Sequence, residues 1–313
     1  MCQKLFLMHC DENYIMKLVY LGTSAAAPTI KRSLTCICLV RENEVLMFDA
    51  GEGAQVAYLK ASLPWNKKMK IFVTHLHGDH CLGILGLLQT MSLQKRTESV
   101  EIYGPAGIEE FITTNIKMLN FGIPFPVFIT IVNEGTIVNE KDYEIKCCDA
   151  QHGIPAFSYC FEENERIGVF YPDKAKGLGI PEGKLWQELQ NGNSIEIDNR
   201  KIESSQVTGK KRAGKKIGIS GDTRPTKKLE EFFKNSDYLS FDCTFLFDLK
   251  DRAIETNHST AKEAANLAKN ANVKNLILTH FSARYNDESV LLNEAKQIHE
   301  SVIAAKDLLE IEI

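Results

Sequence analysis

The chain has 313 residues, 44% of them hydrophobic and 25% charged, enough for a large core in one α/β unit or in two smaller ones. A net charge of −4, from 37 basic and 41 acidic residues, counts against a protein that coats nucleic acid non-specifically, while leaving room for local basic patches such as Lys210-Lys211-Arg212. No apolar run approaches the roughly 20 residues of a bilayer span, and nine scattered cysteines without a CxxC pair read as reduced thiols in a cytoplasmic protein with no membrane partner.

Residues 1–15 carry a brief apolar patch broken by acidic residues, unlike a signal peptide, and a second methionine, Met16, stands directly before a strand-like segment. They are expected to be a disordered N-terminal extension. Four buried strands are then expected to end abruptly in polar residues. Val45–Phe48 runs into Asp49-Ala50-Gly51-Glu52-Gly53, and Lys70–Val73 into Thr74-His75. Lys216–Ile219 runs into Ser220-Gly221-Asp222, and Leu276–Leu278 into Thr279-His280. Such runs suit strands covered on both faces, with chemistry collected at their carboxyl ends.

Helical patterns lie between them. Residues 81–92 are apolar nearly all round, and residues 259–271 and 287–304 are amphipathic, the former with Ser259 or Thr260 as N-cap. From about Glu162 to Gly214 the chain turns rich in Lys, Glu, Gly and Asn, as an insertion projecting from the core would. Strands and helices mixed throughout predict an α/β fold of two sheets with helices outside.

The densest chemical signal is Thr74-His75-Leu76-His77-Gly78-Asp79-His80. Three imidazoles and a carboxylate crowded after a buried strand are costly without a cation to satisfy them. Imidazole and carboxylate donors without thiolates suit catalytic zinc, or manganese, better than a closed structural site. Further histidines follow strand-like or turn segments: His152 before Gly153, His258 before Ser259, and His280. Each alone reads as a satisfied core histidine; with Asp222 they supply what a two-metal site still lacks.

These segments resemble the metallo-β-lactamase superfamily. Ser220-Gly221-Asp222-Thr223-Arg224-Pro225, His258-Ser259-Thr260 and Leu278–Tyr285, in that order, further resemble the ribonuclease Z family. The resemblance spans Met16 to the C-terminus. It implies a four-layer αββα catalytic domain over residues 16–313, with an inserted flexible tRNA-binding arm at about 162–190. It also implies two Zn2+ per subunit, with Mn2+ as a substitute, and an endoribonuclease that removes the 3′ trailer of precursor tRNA through a two-metal-activated hydroxide. Position by position, His75, His77 and His152 would hold one ion, Asp79, His80 and His280 the other, with Asp222 bridging and Asp49 orienting the ligand loop. Asp79 would accept the water's proton and His258 would protonate the leaving oxygen. The family's His-Glu-Ala-Thr stretch is Phe241-Asp242-Cys243-Thr244 here, so Asp242 takes the assisting carboxylate's place with a shorter reach, or is a plain strand-end carboxylate. Arg224 and Arg284 would contact phosphate or pair locally. A homodimer is implied on the same basis.

The family's Pro-x-Lys-x-Arg-Asn loop, associated with the cleavage position relative to CCA, stands here as Pro28-Thr29-Ile30-Lys31-Arg32-Ser33. Two other readings share the ligands: a small-molecule phosphodiesterase or arylsulfatase-like hydrolase, and a non-catalytic RNA-binding protein.

Overall fold

The computed structural model describes residues 16–313, so the expected N-terminal extension lies outside the described residues. The chain begins with β1 (Lys17–Gly22), the two-residue β2 (Ser24–Ala25), β3 (Cys36–Val40) and β4 (Glu44–Phe48). Helix α1 (Ala54–Lys60) leads to β5 (Lys68–Phe72). Helices α2 (Gly78–Cys81) and α3 (Gly83–Leu93) lead to β6 (Val100–Gly104), and α4 (Ile108–Leu119) leads to β7 (Val127–Ile131). Next come β8 (Gly135–Asn139), β9 (Tyr143–Asp149) and β10 (Phe157–Glu163). After α5 (Pro172–Gly177), α6 (Lys184–Gln190), β11 (Ile195–Ile197) and β12 (Arg200–Ile202), the chain returns to β13 (Lys216–Ile219). It closes with α7 (Lys227–Phe232), β14 (Tyr238–Asp242), α8 (Lys250–Glu255), α9 (Ala261–Asn270), β15 (Asn275–Thr279), β16 (Phe281–Ser282), α10 (Ser289–Lys296), β17 (Val302–Ala304) and β18 (Leu309–Glu312).

Two seven-stranded sheets result, ordered β18-β1-β3-β4-β5-β6-β7 and β17-β15-β14-β13-β10-β9-β8. Strand alternation divides each sheet's side chains between two faces. In the first sheet, Cys36, Cys38, Val45, Met47, Met69 and Ile71 share a core with α1, α3 and α4. Phe48 and Phe72 turn the other way and meet Tyr159 of the second sheet, with ring centroids 6.1 and 5.5 Å apart. The second sheet's outer residues Leu239, Phe241, Leu276 and Leu278 pack with α7, α9 and α10. Helices, two sheets and helices therefore stack as the expected αββα sandwich. The seven cysteines among the described residues are free and buried, and no helix among those residues is long and apolar enough to cross a membrane.

Glu163–Gly214 is a compact unit of its own, with a core of Phe170, Ala175, Ile180, Leu189, Ile195 and Ile202. It is inserted between β10 and β13, which pair directly with each other (Glu162 opposite Lys216). The unit thus extends past the arm expected at about 162–190.

Thr260 caps α9 in a capping box with Glu263, one of the two N-caps expected. The helix expected over 287–304 stops at Lys296, and Val302–Ala304 instead lies parallel to β15. A three-residue apolar run has no period that separates helix from strand, and here an open sheet edge takes it. His299 sits at the switch, buried, its ring nitrogens 3.1 Å from the Ser301 carbonyl and 2.9 Å from that of Val273.

At Gly83, at the head of α3, a Cβ would lie 2.0 Å from the Gly51 carbonyl oxygen, and its N–H bonds the Ala50 carbonyl at 2.9 Å. This close approach seats the helix pair carrying Asp79 and His80 against the loop after β4. Gly83→Ala is expected to destabilise the fold by roughly 1–3 kcal/mol, as overpacked sites do. A urea midpoint equal to that of the unsubstituted protein would refute that reading.

Candidate metal centre

The expected strand ends converge. His75 follows β5, Asp49 follows β4, His152 follows β9, Asp222 follows β13, Asp242 ends β14 and His280 follows β15. The turns are tight: Asp49 and His280 stand at φ 57° and 60°, in the left-handed region that non-glycine residues rarely occupy. Gly221 takes φ 60° beside Asp222, where a Cβ would lie 2.8 Å from that of Thr74.

Three groups of potential ligand atoms form, the third, Asp222, Asp242, His258 and His280, sharing two members with the second. In the first, His77 Nδ1 lies 3.0 Å from His75 Nε2 and 3.1 Å from His152 Nε2. The opposite nitrogens of the outer two rings are tied down, His75 Nδ1 by Thr74 Oγ1 at 3.0 Å and His152 Nδ1 by the Asn257 carbonyl at 3.2 Å. Burial, with the neighbouring His80, pushes His75 down to about 2, so its imidazole is neutral, the form that binds metal.

In the second group, His80 Nε2 and His280 Nε2 are 3.3 Å apart, and each lies 3.5 Å from Asp79 Oδ2. They approach Asp222 from two sides, at 3.2 Å from Oδ2 and 3.2 Å from Oδ1 respectively. Asp49 is buried and accepts from the Thr74 N–H (2.7 Å), the Thr74 hydroxyl (2.9 Å) and His80 Nδ1 (2.8 Å). His280 Nδ1 faces Thr244 Oγ1 at 3.1 Å. Burial opposes charge on His80, yet Asp222 and Asp49 raise its pKa well above the imidazole range. The carboxylates demand a positive charge at this spot.

The donor set suits divalent cations. Zinc–nitrogen bonds of about 2.0–2.1 Å in a tetrahedral site set the nitrogens about 3.3 Å apart, close to the spacings within both groups. Asp222 Oδ1 is buried without a hydrogen bond, since His280 Nε2 is near but out of line. An orphaned carboxylate oxygen between two imidazole groups is costly unless a cation occupies the space. Asp222 joins the groups: its Oδ2 also lies 3.6 Å from His75 Nε2.

Beside them, Asp242 Oδ2 takes His258 Nδ1 at 2.9 Å, and its carboxylate is fixed by the N–H groups of Thr223 and Thr244 and the Thr244 hydroxyl. Burial works against charge on His258, but Asp242 prevails and carries its pKa up to about 9. His258 lines a cleft of about 450 Å3 together with His77, Asp79, Asp222 and His280.

The two arginines part company. Arg224 is consumed by Glu263 (2.9 Å, with a second, shorter contact) and by the His258 carbonyl, so it holds the His258 turn instead of offering its guanidinium to phosphate. Arg284 is exposed over the Phe245 ring with Nε on Ser282 Oγ at 3.0 Å. Sequence reading missed the supports: Thr244, the Asn257 carbonyl, the Ala26 amide and Glu263. Only Glu263 carried a signal, three residues after a threonine N-cap.

A family model described as the anti-Pycsar protein Apyc1 matches residues 16–119. A ribonuclease Z from Nitrosopumilus maritimus is 65% identical over 298 residues, covering 95% of this chain and all of that protein. One from Methanosarcina acetivorans is 38% identical, covering 96% and 98%. Among solved structures, the short form of human tRNase Z superposes with a TM-score of 0.69 at 27% identity, covering 95% of this chain and 98% of that one. The metallo-β-lactamase fold protein YhfI from Bacillus subtilis, at 17% identity and a TM-score of 0.67, shares the fold. Aligned end to end with such relatives, and carrying a donor set fit for divalent metal, the chain belongs to the ribonuclease Z family of the metallo-β-lactamase superfamily.

Proposed function

We propose that the protein is a metal-dependent endoribonuclease that cuts precursor tRNA on its 3′ side, leaving a 3′-hydroxyl on the tRNA and a 5′-phosphate on the trailer. The observation that carries this reading is the convergence of His75, His77, His152, Asp79, His80, Asp222 and His280 next to the His258–Asp242 pair; 65% identity to a ribonuclease Z over its whole length supports the substrate. His75, His77 and His152, and Asp79, His80, Asp222 and His280, would hold two divalent cations, zinc or manganese, which would supply Lewis acidity toward phosphate and an activated water near neutral pH.

The chain's own groups do the rest. Asp79 lines the cleft and is positioned to accept the proton of the attacking water. His258, charged at neutral pH, donates a proton to the departing 3′-oxygen. Asp242 holds Nδ1, which leaves Nε2 as the donating atom. The Glu163–Gly214 unit serves as the tRNA-holding arm, and a cytoplasmic homodimer belongs to the same reading.

Incubating a 3′-extended precursor tRNA with the protein and Zn2+ or Mn2+ should give those two ends; a 2′,3′-cyclic phosphate on the tRNA would refute the mechanism. His258→Ala should lower kcat by about 10²–10⁴-fold with metal content unchanged, whereas His77→Ala should lose metal and activity together. Equal metal loss in both variants would remove His258 from the proton-donor role. Replacing residues 163–214 by a short glycine linker between the paired ends of β10 and β13 should abolish tRNA cleavage and spare bis(p-nitrophenyl) phosphate hydrolysis. Survival of both activities would overturn the assignment of this unit as the tRNA-holding arm.

A further inference from the structure

The loop between β1 and β3 reaches the metal centre through its backbone. The Ala26 N–H donates to Asp79 Oδ2 at 2.7 Å, the same oxygen that faces His80 and His280. Ala26 stands at φ 54°, a conformation an L-residue keeps only where its surroundings impose it. Two sets of contacts impose it here. Strand β2 pairs in parallel with β16, which starts directly after His280, and the Phe281 N–H bonds the Thr23 carbonyl at 2.9 Å. Asp307, in the turn between β17 and β18, then closes the loop at both ends: its carboxylate accepts from Thr23 Oγ1 at 2.9 Å and from the Ser33 N–H at 2.6 Å. Asp307 approaches no ligand residue itself, and the mechanism above does not use it.

We propose that Asp307 is a positioning residue for one of the two cation positions: by pinning Thr23 and Ser33 it aims the Ala26 amide at Asp79. It thereby sets the affinity of the Asp79, His80, Asp222 and His280 group and leaves the His75, His77 and His152 group alone. A hydrogen bond to a ligating carboxylate fixes which oxygen faces the ion and in which direction, and loss of such an outer contact typically weakens metal binding 10–100-fold. The inference rests on the ligand reading above. The loop outlives the loss of Asp307, because Arg32 still bonds the carbonyls of Ser282 and Tyr285 and β2 still pairs with β16.

The test is a Co2+ titration of the full-length protein after chelator treatment, followed by visible absorbance and calorimetry. Asp307→Ala is expected to weaken one of two affinities about 10–100-fold and leave the other at its original value, with Asp307→Asn, which keeps one acceptor for Thr23, in between. Two unchanged affinities in Asp307→Ala, or an equal fall in both, would overturn the inference. Asp79→Ala run alongside separates the failures: loss of one site there with Asp307→Ala unaffected sinks only the positioning role, while two intact sites in Asp79→Ala sink the ligand assignment itself. Should Asp307→Ala not fold, Thr23→Val removes one of the two bonds and is read the same way, selective weakening supporting the role and its absence overturning it.

Discussion

The structure is organised around a buried carboxylate oxygen that no protein donor satisfies. Asp222 is 2% exposed, one of its oxygens lacks a hydrogen bond, and its nearest neighbours are imidazoles on three different elements. Leaving a buried anion in that state costs several kcal/mol, and the fold bears it only because the space is shaped for cations. Burial lowers the pKa of His75, while Asp222 and Asp49 raise that of His80. Adjacent rings are thus driven in opposite directions.

Rigidity follows from the same demand. Four of the five rings are anchored through their other nitrogen to something the fold holds still: Thr74 for His75, Asp49 for His80, Thr244 for His280, the Asn257 backbone for His152. The anchors are themselves bonded, Asp49 to Thr74 and Thr244 to Asp242. Asp242 takes part in two chains, one ending at His280 and the other at His258. His280 and His258 are therefore oriented by one carboxylate.

What was legible in sequence was whatever chemistry compresses into adjacent residues. The His75–His80 run and the abrupt strand ends at Asp49, Asp222 and His280 announced themselves because apolar runs rarely stop in such residues without reason. The pairing of Asp242 with His258 was only half visible, since its geometry depends on where β14 ends relative to the turn before α9. The supports were invisible: a carbonyl at Asn257 or an amide at Ala26 has no residue type to betray it, and Thr244 looks like any strand-end threonine. For Arg224 the choice between phosphate contact and local pairing stayed open in sequence because its partner, Glu263, lies 39 positions away. The strand at Val302–Ala304 was misread for a related reason, as its only cause is a sheet edge built by residues 276–278.

Because β10 and β13 pair directly, the 52 residues from Glu163 to Gly214 leave and re-enter the chain at neighbouring points. Lengthening such an excursion adds little closure entropy, growing only with the logarithm of its size, and breaks no rung of the ladder. The residues around the buried charge and the inserted unit can therefore drift independently, one set held by its ligand geometry and the other limited only by its own small core.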